Sequence, residues 1–116
     1  MSLIAALLAA PLAAHVIPPD AGATQVVMYE RSLPQGGTIP WHIHAGIEAT
    51  YVVSGDVEIL RPDVELQRLS AGQSFIIPRG VPHSGKCLSA AGCRVAVTYI
   101  IDADLPESIP SDPPQD

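Results

Sequence analysis

Residues 36–55 read GGTIPWHIHAGIEATYVVSG and residues 72–83 read GQSFIIPRGVPH. Together they hold three of the chain's four histidines, His42, His44 and His83, with Glu48 following His44 after three residues. Side chains alternate across a strand with a period of two. His42 and His44 therefore share one face of a strand over residues 38–44, and Trp41 and Ile43 take the other. In a second strand over residues 48–53, Glu48, Thr50 and Val52 share a face opposite Ala49, Tyr51 and Val53. If these strands are antiparallel neighbours, Glu48 meets both histidines across the pair. Pro78, Arg79 and Gly80 then turn sharply, so that His83 begins a strand.

Three imidazoles and one carboxylate form a mixed nitrogen and oxygen donor set. It suits a divalent transition ion, Fe, Mn, Co, Ni, Cu or Zn, better than Ca²⁺. A six-coordinate ion held by all four keeps two positions for water, substrate or O₂. A single histidine in a barrel is ordinarily a hydrogen-bonded core residue, but three with a glutamate at these spacings reverse that reading. His15 lies outside both stretches and reads as a surface or linker residue. Cys87 shares the His83 face by period two, through Gly85, which would bring it toward the pocket.

Outward from these stretches, short alternating segments broken by Gly, Pro, Asp and Ser give the rhythm of an all-β sandwich or barrel. About eight strands are expected: residues 25–31, 38–44, 48–53, 57–60, 64–69, 75–77, one from 83, and 94–101. Ser54, Gly55 and Asp56 read as a hairpin turn. Gly36, Gly55, Gly72 and Gly80 sit where turns need positive φ. Trp41 and Tyr51, away from the ligand face, suit core packing or a subunit contact. Arg94 and Tyr99 differ in parity, so only one can face inward. An inward arginine would imply a carboxylate-bearing ligand, because its planar fork takes a carboxylate through two hydrogen bonds. Arg94 is read as solvated outside.

The spacings G-x5-H-x-H-x3-E-x6-G over residues 36–55 and G-x5-P-x-G-x2-H over residues 72–83 resemble the two motifs of the cupin superfamily. Nine of ten signature positions are filled, with Cys87 standing where the second motif ordinarily ends in Asn. The resemblance covers residues 24–102 and implies a small single-domain cupin, a double-stranded β-helix or jelly-roll barrel. It also implies one divalent transition metal ion on His42, His44, Glu48 and His83. The leading functional expectation is a metal-dependent oxidoreductase of the dioxygenase kind acting on a small organic molecule. The alternative is a non-catalytic cupin that binds a small molecule or metal. A metal-dependent isomerase or lyase stands third, since no inward acid and base pair is evident. Cupins commonly pair through their sheets, and covering an open edge would help so small a barrel. A homodimer is expected.

The 116 residues suit one domain. Six basic and twelve acidic residues give a net charge of −6, which opposes nucleic-acid and anionic-membrane partners. Three parts are expected: an apolar segment over 1–23, the barrel over 24–102 and a Pro-rich acidic tail over 103–116. The first segment is too short and too early for a membrane span. It reads either as a trimmed export signal, with a small-x-small pattern at Ala21, Gly22 and Ala23, or as a packed helix over residues 3–14. No Lys or Arg precedes Arg31. Cys87 and Cys93 flank what reads as a hairpin loop, bridged in an oxidising compartment or reduced in the cytosol. Apolar start and cysteine pair together favour a periplasmic or secreted location. The tail, with four prolines and no aromatic residue, buries too little apolar area to offset its ordering entropy and is expected to be mobile or held by a partner.

Overall fold

The computed structural model describes residues 23–114, and the expected helix over residues 3–14 and most of the export pattern lie outside them. Nine strands form: β1 (Thr24–Leu33), β2 (Thr38–Ile43), β3 (Gly46–Ser54), β4 (Asp56–Leu60), β5 (Gln67–Ser70), β6 (Ser74–Ile77), β7 (His83–Cys87), β8 (Cys93–Asp102) and β9 (Ile109–Pro110). They make two antiparallel sheets, ordered β1-β8-β3-β6 and β5-β4-β7-β2-β9, that face each other as a jelly roll. None of the described residues is helical.

The alternation that predicts strands also builds the core. Along β8, Cys93, Val95, Val97, Tyr99 and Ile101 are buried while Arg94 and its alternates are not. These meet Val52, Phe75 and Ile77 from their own sheet and Val57, Ile59 and Leu69 from the other. Each such aliphatic side chain contributes about 1.5–3 kcal/mol when fully buried. The four turn glycines all take positive φ, between 72° and 90°.

Four expectations change. Strands β2 and β3 lie in different sheets, so Glu48 meets the histidines across the barrel rather than across a strand pair. The Ser54–Gly55–Asp56 turn and the loop between Cys87 and Cys93 are likewise corners between sheets, not hairpins. The strand expected over residues 64–69 is β5, Gln67–Ser70, because the turn begun at Arg61 extends through Asp63, whose carboxylate accepts two hydrogen bonds from the Arg61 guanidinium.

Cys87 faces inward as its parity requires, but its sulfur is joined to Cys93, with a Cα separation of 5.8 Å. The bridge ties β7 of one sheet to β8 of the other. The backbone where the motif departs from Asn stays paired, Cys87 N donating to Gly37 O and Gly36 N to Cys87 O, both at 2.9 Å. Closing so short a loop stabilises by roughly 2 kcal/mol. The double variant Cys87→Ala, Cys93→Ala should melt about 10 °C lower in a thermal unfolding scan.

Candidate metal centre

Each of the four predicted donors arrives from a different constraint. A β-bulge between Ile39 and His42, where β2 pairs with β7, brings His42 opposite His83. Beyond the end of β2, His44 continues inward and is 2 % exposed. Glu48 reaches them from β3 in the facing sheet, and His83 opens β7. One donor atom from each of His42, His44, Glu48 and His83 lies within 4.8 Å of all the others.

The rings are oriented from behind. Nδ1 of His42 donates to Pro40 O at 2.7 Å, that of His44 to Glu107 O at 2.5 Å and that of His83 to Val81 O at 2.9 Å. A carbonyl can only accept, so all three Nδ1 atoms carry protons and each ring turns its Nε2 inward, where a neutral ring presents a lone pair. His44 Nε2 and His83 Nε2 lie 3.0 and 3.1 Å from Glu48 Oε1. Lone pairs facing a carboxylate repel unless a cation, either a metal ion or a proton on the rings, stands among them. The four side chains can hold a metal ion.

Burial would raise the Glu48 carboxyl, but when the rings carry protons the hydrogen bonds from His44 and His83, the charge of His83 and the Thr50 hydroxyl at 2.7 Å outweigh it and hold Glu48 well below the usual carboxylate range. Burial lowers His42, against the pull of the Pro40 carbonyl. Tyr99, inward on β8 with its ring 4.5 Å from that of His44, is pushed up to about 12 by burial and by the charge of Glu48. It is an O–H donor at neutral pH.

The C-terminal segment contributes where mobility was expected. β9 pairs with β2 at His42 and Ile43, and Ser111 N donates to Trp41 O at 3.1 Å. The Tyr29 hydroxyl holds the Glu107 carboxylate at 2.6 and 2.7 Å, while the Glu107 carbonyl orients His44. The segment straps β1 of one sheet to β2 of the other. Backbone hydrogen bonds and one carboxylate hold it, and composition does not register either.

The cluster borders an inner cavity of about 40 Å³. Beside it, a cleft of about 270 Å³ opens between β1 and β2 and is lined by Trp41, Ser108 and Pro110. Arg31, Ile39, His42 and Tyr99 line both spaces. Tyr99, not Arg94, is therefore the inward residue of β8, and Arg94 pairs outside with Glu30. Tyr51 lies on the exposed outer sheet face, and Trp41 edges the cleft. Cys87 is not among the converging donors. Arg31, Tyr29 and Glu107 were not singled out by sequence. Arg31 shares β1 with Val26 and Met28, whose apolar character makes the outer face look as ready for burial as the face that carries Arg31.

Residues 29–99 match the family model described as Cupin domain. No curated protein matches the chain by sequence. Among solved structures, an RmlC-like cupin from Shewanella frigidimarina is 24 % identical, with 68 % of each chain covered and a TM-score of 0.60. DMSP lyase DddQ from Ruegeria pomeroyi is 22 % identical over 74 % of this chain and 43 % of its own, with a TM-score of 0.67. Oxalate decarboxylase from Bacillus subtilis, studied for its Mn(II) centres, is 21 % identical over 67 % of this chain and 22 % of its own, with a TM-score of 0.61. The chain thus spans less than half the length of those two enzymes.

Proposed function

This chain belongs to the cupin family, and from that premise we propose that it is a metal-dependent oxidoreductase acting on a small organic molecule, with His42, His44, Glu48 and His83 holding one divalent transition metal ion. The observation that carries the reading is the set of three Nε2 lone pairs and one carboxylate, each ring locked from behind by a carbonyl. Such second contacts raise ligand basicity and fix ring orientation. The Mn(II) centres of the structurally similar oxalate decarboxylase support a transition ion in a barrel of this shape.

The bound ion supplies open coordination positions and, for Fe, Mn or Cu, one-electron chemistry toward O₂. The chain's own residues bind, orient and exclude water. Thr50 holds one Glu48 oxygen so that the other faces the rings. Ile39, Val57, Ile59 and Phe75 keep the inner cavity apolar. Tyr99 keeps its phenolic proton at neutral pH and presents it as a hydrogen-bond donor at the cavity. Among the described residues, no carboxylate or imidazole beyond the four donors lines either space, and Tyr99 and Lys86 are the side chains there that could carry a proton in acid–base chemistry.

The test is elemental analysis of protein never exposed to a histidine-affinity resin, followed by oxygen-electrode screening of small organic substrates. Near-stoichiometric Fe, Mn, Ni or Cu with substrate-dependent oxygen uptake is expected. Turnover without oxygen uptake would move the reading to a lyase or isomerase, with Tyr99 as proton donor. Absence of metal and of any tight uptake of divalent ions would leave a non-catalytic small-molecule-binding cupin.

Acid should empty the site. Protons compete with metal for each Nε2. The folded state also favours neutral His42, so that stabilisation is present above the unfolded value near 6.5 and lost as pH falls. The depressed Glu48 adds a loss below about pH 4. Metal content after dialysis should be full at neutral pH and largely gone by about pH 5.

Removing residues 104–116 takes the carbonyl from behind His44. Loss of such a contact costs about 10–100-fold in metal affinity. Competition with a chromogenic chelator should show that loss, with the barrel still folded by circular dichroism.

The outer face of the sheet β1-β8-β3-β6 leaves Val26 64 % and Met28 75 % exposed beside Tyr51 and Val53, and the Glu30–Arg94 and Arg79–Asp102 ion pairs flank it. A second copy laid on this neutral apolar face gives the homodimer, and sedimentation of Met28→Lys should return a monomer. The Cys87–Cys93 bridge supports a periplasmic or secreted location, for which free-thiol titration of unreduced protein from its native compartment should find almost no thiol.

A further inference from the structure

Four of the chain's five arginines have acidic partners: Arg61 with Asp63, Arg68 with Glu58, Arg79 with Asp102 and Arg94 with Glu30. The Arg31 side chain has no hydrogen bond or ion pair among the described residues, although acidic groups outnumber basic ones twelve to six. Its position explains why the difference matters. On β1 it alternates with Tyr29, whose ring meets that of Tyr99, and with Leu33, which packs on the core. It therefore stands on the inward side of the edge strand, where it lines both the inner cavity and the outer cleft beside Ile39, His42 and Tyr99.

A guanidinium without a side-chain partner among the described residues, at the lip of a largely apolar pocket, can take an incoming anion. Its planar fork matches a carboxylate through two charge-assisted hydrogen bonds. Lys86 also lines the inner cavity but not the outer cleft, and on β7 it alternates with His83, Gly85 and Cys87 and lies opposite Glu58 in register. One arginine with a small apolar space suits a singly charged acid, while the net charge of −6 disfavours polyanions. We propose that Arg31 anchors the carboxylate of a small organic acid in the cleft between β1 and β2, with the rest of the molecule directed to the cluster of His42, His44, Glu48 and His83. The proposal rests on the reading of that cluster as a site that receives a small organic molecule.

Acetate, butyrate and hexanoate, each compared with its primary amide, test it by calorimetric or NMR titration of the full chain, both metal-free and loaded with Zn²⁺. At least one acid should bind about tenfold or more tighter than its amide. Arg31→Gln should erase that preference, Arg31→Lys should keep part of it, and both should retain wild-type metal uptake. Equal binding of every acid and amide, no binding of any acid, or an acid preference unchanged in Arg31→Gln would overturn the proposal. An acid preference that depends on Arg31 in the metal-free protein supports it even if wild-type metal uptake fails, so the two readings fail separately.

Discussion

His83→Ala should yield a folded barrel that carries almost no metal. The ring is buried, its Nδ1 is committed to Val81 O, and its Nε2 is one of the two nitrogens 3 Å from Glu48 Oε1. Loss of a direct donor exceeds the 10–100-fold penalty of losing a contact behind one, so affinity should fall by more than about 100-fold. The wild type should gain thermal stability with added metal in proportion to its occupancy, whereas the variant should gain none. His42→Ala should behave in the same way, and His15→Ala, outside both motifs, should load fully. Stoichiometric metal in both His42→Ala and His83→Ala would sink the four-donor site.

Gly46→Ala should damage fold and site together. A Cβ at this position would lie 2.1 Å from Ile100 O and 2.5 Å from Ile101 Cα. Both are backbone atoms of β8, with which Gly46 is paired opposite Ile101. No rotamer change relieves such a contact, so β3 must draw away from β8. The cost should reach the upper end of the overpacking range, about 3 kcal/mol or more, and lower Tm by on the order of 15 °C. Gly46 also separates His44 from Glu48, so the displacement should misplace both and weaken metal binding. Gly72→Ala, with open space around the new Cβ and only a φ of 90° to strain it, should lose far less. Equal melting temperatures for the two variants would refute the close-approach argument.

The glycine and the histidine differ in how visible they were. Residue types and spacing named His42, His44, Glu48 and His83, and the structure brings all four together. Their route to one another was not visible. Glu48 was expected across a strand pair and instead reaches over from the facing sheet. Gly46 falls between the strands expected over residues 38–44 and 48–53, and its close approach to β8 is a property of two segments more than fifty residues apart.

The tail and Arg31 show the same limit from another side. The tail's composition predicted mobility or dependence on a partner because apolar area was the quantity being read, while backbone pairing to β2 and the Tyr29–Glu107 contact tie it to the barrel. Arg31 was hidden because β1 is apolar on both faces, so hydrophobicity could not tell inside from outside.

Alternation of side chains is a local consequence of backbone geometry, and donor identity is written residue by residue, so strand content, the shared face of His42 and His44, and the four donors follow from the chain read in order. Which strands become neighbours, which carbonyl stands behind His44 and which arginine borders the cavity depend on contacts between distant segments. Those contacts exist only once the two sheets close on each other and their registers are set by the buried side chains of both.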